Sequence, residues 1–147
     1  MDANSEDNKV QTISPIQAKS LLDAEPKSLL VDVRSNMEFL FIGHPVGAVH
    51  IPWVDEPDWD INPNFVRDIR QLLLGGMTHD DSHSNEVSVL LICRSGNRSK
   101  EAGELLIQEG FVNVYNIDQG FEGELDSEHH RCTSGGWRFE GLPWEQC

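Results

Sequence analysis

The chain has 147 residues, a formal net charge of −14, 38% hydrophobic and 24% charged residues, a composition that suits a globular α/β core rather than a disordered polymer. So acidic a surface excludes a nucleic-acid face, and no stretch approaches a membrane span. The three cysteines, Cys93, Cys132 and Cys147, are too few and too irregularly placed for a disulfide framework or a CxxC zinc site.

Residues 1–9, MDANSEDNK, are polar and acidic and read as a flexible tail, not a signal peptide, so a soluble, reducing, cytoplasmic setting is expected. Residues 10–147 follow as one domain without internal repeats. Val10 to Ile13 is a short first strand. Ser14-Pro15-Ile16-Gln17 opens a helix, with Ser14 as N-cap, Pro15 in the first turn and Gln17 closing a capping box. Ala18, Leu21 and Leu22 form its apolar stripe, and Pro26 ends it. Ser28 to Val33, SLLVDV, is a buried strand with Asp32 near its carboxyl end. Ser35 to Glu38 repeats the capping-box pattern for a short helix, and Arg34 and Glu38 are spaced to pair locally. Ala48 to Ile51 re-enters the sheet, and Pro57 and Pro63 bracket a polar connection. Asn62-Pro63 starts a helix with Phe65, Val66, Ile69, Leu72 and Leu73 on one face. Gly75-Gly76 stops it, and Met77 to Glu86 is a surface loop.

The stretch that organises the rest is Val87 to Glu109, VSVLLICRSGNRSKEAGELLIQE. It reads as a buried strand, a tight loop and a helix, with Ser99 as N-cap, Ala102, Leu105 and Leu106 on the apolar stripe, and Gly110 just past the end. Cys93 therefore lies at the carboxyl end of a core strand and under the amino end of a helix, where open α/β sheets bind ligands. Loop N–H groups, the helix dipole and the charges of Arg94 and Arg98 all favour the thiolate, which is the nucleophilic form. A buried, inert cysteine needs no such arginines. Val112 to Ile117 is a further strand. Beyond Gly120 the pattern is irregular, and from about residue 127 the chain reads as a C-terminal arm laid down by Trp137 and Trp144. Helices intervene between strands throughout, so the expected architecture is α/β, a central parallel β-sheet with helices on both faces.

Five segments in this order, LVDVRSNMEF, GHPVGAVHIP, LLICRSGNRS, VYNIDQGFEG and GWRFEGLPW, resemble a single-domain rhodanese-type sulfurtransferase over about Ile13 to Trp144. The resemblance implies a rhodanese-like α/β fold and an enzyme whose cysteine, Cys93, takes a sulfane sulfur from a donor such as thiosulfate. The resulting persulfide passes the sulfur to a thiophilic acceptor: cyanide, a thiol or a protein cysteine. Arg94, Ser95, Gly96, Asn97 and Arg98 carry over as the anion-binding loop, closed by Ser99. No metal or organic cofactor is implied. The partners implied are a small anionic sulfur donor and an acceptor that extends to proteins, with no nucleic acid and no membrane, and the oligomeric state is left open. Gln119 departs from the pattern, standing where a glycine often precedes Gly120, which bears on a turn near the site.

Two other functions compete for the same residues. A cysteine phosphatase or arsenate reductase also uses a cysteine followed by an arginine, but its loop is one residue longer than the four that separate Cys93 from Arg98. It needs a general acid as well, for which Asp58 and Asp60 are candidates. A non-catalytic rhodanese-like interaction module usually lacks the cysteine, which is kept here. Asp32 and Arg34 are expected to pair with neighbours and fix the loops beside the site rather than touch substrate. Arg98 is expected to point inward to a carboxylate while its backbone serves the loop, which leaves Arg94 as the substrate contact. His44 and His50 read as structural, and adjacent His129 and His130 as surface residues rather than metal ligands. Cys132 and Cys147 read as spectator thiols without the electropositive setting of Cys93.

Overall fold

Strand β5 (Val89–Ile92) is the centre of the molecule, with every residue buried. The computed structural model describes residues 9–75 and 87–146. Most of the expected tail, the Gly76 stop, the 77–86 loop and Cys147 lie outside the described residues. Around β5 stand β1 (Gln11–Ile13), β2 (Leu29–Asp32), β4 (Val49–His50) and β6 (Val114–Ile117). They form a five-stranded sheet in the order β1-β6-β5-β2-β4, and every pairing in it is parallel. Parallel strands buried on both faces read as unbroken apolar runs, which is why VLLI shows no polar alternation.

Side chains leave a strand on alternate faces, and the two faces of β5 feed two cores. Val89, Leu91 and Cys93 join Phe65, Ile69, Leu73, Ala102 and Leu106, contributed by helices α2 (Phe65–Gly75) and α3 (Asn97–Gln108). Leu90 and Ile92 join Ala18 of helix α1 (Pro15–Ala24) together with Phe121 and Trp137. The sheet thus has helices on both faces, and the C-terminal arm shares the α1 side. The arm is fixed by β7 (Trp144–Glu145), which pairs antiparallel with β3 (His44–Pro45), and by Trp137, whose indole N–H donates to the Pro143 carbonyl at 2.8 Å.

Local signals decide the helix starts. The α1 capping box forms reciprocally between Ser14 and Gln17, at 2.9 and 3.1 Å. The second box forms between Ser35 and Glu38, at 3.0 and 3.3 Å, and leads into one π-helical turn, Glu38–Ile42. One sequence expectation is corrected. The N-cap of α3 is Gly96, not Ser99. Gly96 takes the left-handed conformation (φ 108°), which only glycine adopts readily, so the helix starts earlier and Ser99 falls inside its first turn.

Candidate active site

Because Cys93 follows Val89 and Leu91 on one face of β5, its side chain points toward α3 rather than α1. It is 1% exposed. The left-handed turn at Gly96 swings that residue's N–H back onto the sulfur, 3.0 Å from Cys93 Sγ. The Ser99 hydroxyl oxygen lies 3.2 Å from the sulfur. Ser95 and Asn97 offer N–H groups that have no acceptor among the described residues. The sulfur therefore sits among polar groups, with the Gly96 N–H aimed directly at it and the Ser99 hydroxyl beside it, a setting suited to an anion.

The loop is held from beneath. The Phe121 N–H donates to the Cys93 carbonyl at 2.7 Å, and the Glu122 N–H to the Arg94 carbonyl at 2.9 Å. Gly120 makes this approach feasible. A Cβ at Gly120, where φ is +58°, would lie 2.3 Å from the Cys93 carbonyl oxygen. Its neighbour Gln119 also has a left-handed backbone, at φ 68°, which costs a non-glycine residue about 1 kcal/mol. The Gln119 side chain offsets this by accepting the Gly136 N–H at 3.0 Å, tying the C-terminal arm to the turn below the loop. The departure from glycine at this position thus has its own structural use.

The charged residues sort into buried and free. Asp32 and Arg34 are both fully buried. The guanidinium meets the carboxylate through Nε at 2.9 Å and Nη2 at 2.7 Å. Nη2 also donates to the Gly43 carbonyl, and the group lies 4.4 Å from the centre of the Phe121 ring. A buried ion pair stands only when its remaining donors find partners, and these contacts supply them for all but Nη1. The local Arg34–Glu38 pair suggested by spacing does not form, because Arg34 is taken by Asp32. Glu38 reaches 60 residues along the chain to Arg98 instead, in a two-pronged pair at 2.8 and 2.9 Å. Burial alone would push the Glu38 carboxyl up, but the Arg98 guanidinium and the Ser35 N–H hold it down at about 2. Arg98 is thus committed to Glu38, whereas Arg94 is exposed and has no hydrogen-bond or ion-pair partner among the described residues.

The remaining candidates stand apart from the sulfur. His44 Nδ1 contacts the Phe39 carbonyl at 3.0 Å and its Nε2 lies 3.3 Å from Glu145. His50 Nε2 meets the Arg34 carbonyl at 2.8 Å. Both rings stack on Phe39, so they fasten the β3 and β4 ends of the chain to the π-helical turn. Asp58 and Asp60 are exposed on the connection between the bridged residues Val54 and Ile61, and no hydrogen bond joins them to the Cys93 loop. His129 and His130 lie in a turn organised by Asp126, which accepts the His130 N–H at 2.8 Å. Cys132 is half-buried and lies near two arginines, Arg131 and Arg138. Burial nonetheless pushes its thiol up, and Glu122 adds to that. Sequence reasoning missed Asn116 of β6, which is buried and accepts from the Ser99 hydroxyl at 2.5 Å. The polar residue in the otherwise apolar-patterned VYNI run is the one signal of it.

A thiol ringed by amide and hydroxyl donors at the carboxyl end of a parallel sheet defines a cysteine-based α/β protein. The family model for the rhodanese-like domain matches residues 14–125, and the chain belongs to that family. It is similar to Rv0390 from M. tuberculosis, 36% identical with a TM-score of 0.78 over 95% of this chain and 99% of that one. It also shares its fold with the polysulfide-sulfur transferase homodimer from Wolinella succinogenes, 23% identical, TM-score 0.55, over 99% and 87%. RPA3614, a possible tyrosine phosphatase from Rhodopseudomonas palustris, is 20% identical, TM-score 0.55, over 98% and 89%. At such identities the likeness concerns the fold alone, and one fold hosts different chemistries. Among the described residues no helix is long and apolar enough to cross a membrane.

Proposed function

We propose that the protein is a sulfurtransferase that carries a sulfane sulfur on Cys93. The observation behind this reading is the short loop whose Gly96 N–H and Ser99 hydroxyl converge on Sγ while Arg98 is turned away to Glu38. Phosphoryl transfer needs a guanidinium free to grip the phosphate and an acid for the leaving group. Arg98 is occupied and the two candidate acids stand on an exposed connection, so the geometry favours the smaller sulfur chemistry.

The cycle has two displacements. Cys93 thiolate attacks the outer sulfur of thiosulfate, the new S–S bond forms as the sulfur–sulfur bond of the donor breaks, and sulfite leaves. The persulfide carries its negative charge on the outer sulfur, which the Ser95 and Asn97 N–H groups receive in place of water. An acceptor thiolate or cyanide then attacks that outer sulfur and releases Cys93 as thiolate, so charge balances and no redox partner is consumed. Arg94 meets the distal oxygens of the donor at the mouth of the loop. The reading is tested by thiosulfate–cyanide turnover measured beside aryl phosphate hydrolysis on one preparation. Sulfur transfer without phosphatase activity is expected, and phosphate release without thiocyanate would overturn it.

A further inference from the structure

The single proton of the Ser99 hydroxyl faces two acceptors. Its Oγ lies 3.2 Å from Cys93 Sγ and 2.5 Å from Asn116 Oδ1, and all three residues are buried. A hydroxyl donates once and accepts through its lone pairs. While Cys93 is a thiol the chain is balanced: S–H donates to Ser99 Oγ, and Ser99 O–H donates to Asn116 Oδ1. Once the sulfur is an anion, Sγ only accepts, and two buried acceptors compete for one proton. Leaving a buried acceptor short is costly, and more so when it is charged.

Asn116 can resolve the conflict by itself. A side-chain amide presents an acceptor on one side and two donors on the other. Asn116 Nδ2 has no hydrogen-bond acceptor among the described residues, so turning the amide over sacrifices no bond to them. The backbone cannot follow such a motion, because Asn116 is locked between Leu91 of β5 and Thr12 of β1. The side chain is therefore the moving part. We propose that Asn116 is a positioning residue whose amide reports and stabilises the charge on Cys93. It turns its carbonyl to Ser99 for the thiol and its NH2 group to Ser99 for the thiolate. In the second arrangement Nδ2–H donates to Ser99 Oγ and Ser99 O–H donates to Cys93 Sγ, so the charged sulfur is served, while Asn116 Oδ1 takes the place that Nδ2 held. The thiol proton leaves to water, and no other covalent bond changes.

The kinetic consequence rests on the sulfurtransferase reading; the amide reorientation does not. Asn116→Asp keeps the shape but only accepts when ionised, so it holds the Ser99 proton away from the sulfur. Sulfur transfer should fall about tenfold, the loss of one charge-assisted hydrogen bond. In a Ser99→Ala background the same substitution should add almost nothing. The direct test is side-chain ¹⁵N NMR of the native protein. The Asn116 NH2 signal is identified by its loss in Asn116→Asp, or by through-bond connection to its own β-carbon if that variant does not fold. The expected result is a downfield movement of that signal as rising pH ionises Cys93, absent in Cys93→Ser and in Ser99→Ala. A signal that stays fixed while iodoacetamide labelling reports thiolate formation would overturn the proposal. Because this titration uses no sulfur donor, the two readings separate: a moving signal without sulfur uptake contradicts the sulfurtransferase, and sulfur uptake with a fixed signal contradicts the amide switch.

Discussion

Cys93 and Cys132 make an instructive pair. Each has arginine charge nearby: Arg98 for the first, with Arg94 next to it in the chain, and Arg138 and Arg131 for the second. Charge in the neighbourhood does not separate them. What separates them is aim. Cys93 Sγ receives an amide and a hydroxyl at hydrogen-bond distance, whereas Cys132 Sγ receives no donor among the described residues. The arginines near Cys132 are also spent elsewhere: Arg131 donates to the Gly123 carbonyl and Arg138 covers the Trp144 ring. Burial without directed donors disfavours a thiolate, and burial pushes the half-buried Cys132 thiol up.

The comparison is broken most completely by exchanging the thiols for hydroxyls. Cys93→Ser should abolish sulfur transfer, and Cys132→Ser should leave turnover within about twofold, since substitutions away from directed contacts are nearly neutral. Comparable losses in both variants would refute the distinction.

Next in size is Gly120→Ala, which acts on the aim alone. The added methyl would meet the Cys93 carbonyl oxygen at 2.3 Å, so the loop must shift while every chemical group is kept. A displacement near 1 Å at a reacting centre costs roughly a hundredfold in rate. Thiosulfate turnover should fall by about that factor in protein that still melts cooperatively. Undiminished turnover would mean that the loop tolerates displacement and that aim is not what matters.

Arg94 tests the free charge at the mouth. Arg94→Ala should raise KM for thiosulfate about tenfold at low salt, with a smaller change in kcat, since one exposed charge acts mainly on binding. Ser95→Lys should lower KM in the same assay. A neutral organic persulfide donor should respond to neither. Salt-independent changes would point to packing in place of charge.

The smallest effect belongs to Glu38, which fixes Arg98. Its carboxyl is held at about 2 against an ordinary value of 4.5. Its contribution to stability is therefore present above about pH 4.5 and is lost as pH falls toward 2. Because the pair is partly open to solvent, that contribution is about 1–2 kcal/mol. Glu38→Gln should lower the melting temperature at pH 7, and the difference from the parent should close as pH approaches 2. A difference that persists unchanged at low pH would show that the ion pair is not its source.

Much of this was legible in the chain. The apolar run ending at Cys93, the two capping boxes and the position of Gly110 are local patterns, and local patterns report local structure. Arg98 turning to a carboxylate was likewise foreseeable from the company it keeps. What escaped was long-range or conformational. Nothing local distinguishes Glu38 pairing with Arg98 from Glu38 pairing with Arg34, because the sheet register that brings them together spans the whole domain. The N-cap at Gly96 was hidden because serine usually caps helices, and only the need to fold an N–H back onto Sγ makes glycine the better residue there. The role of Asn116, and the close approach of the Cys93 carbonyl to Gly120, lie in what comes near them from strands and turns far apart in sequence.

The central claim, that Cys93 alone among the thiols carries the sulfur, is tested most directly by peptide-level mass spectrometry of the intact protein after exposure to thiosulfate, under non-reducing conditions. The account predicts one added sulfur, about 32 Da, on the peptide containing Cys93 and none on the peptides containing Cys132 and Cys147. Sulfur on the Cys132 peptide with the Cys93 peptide unmodified would contradict it.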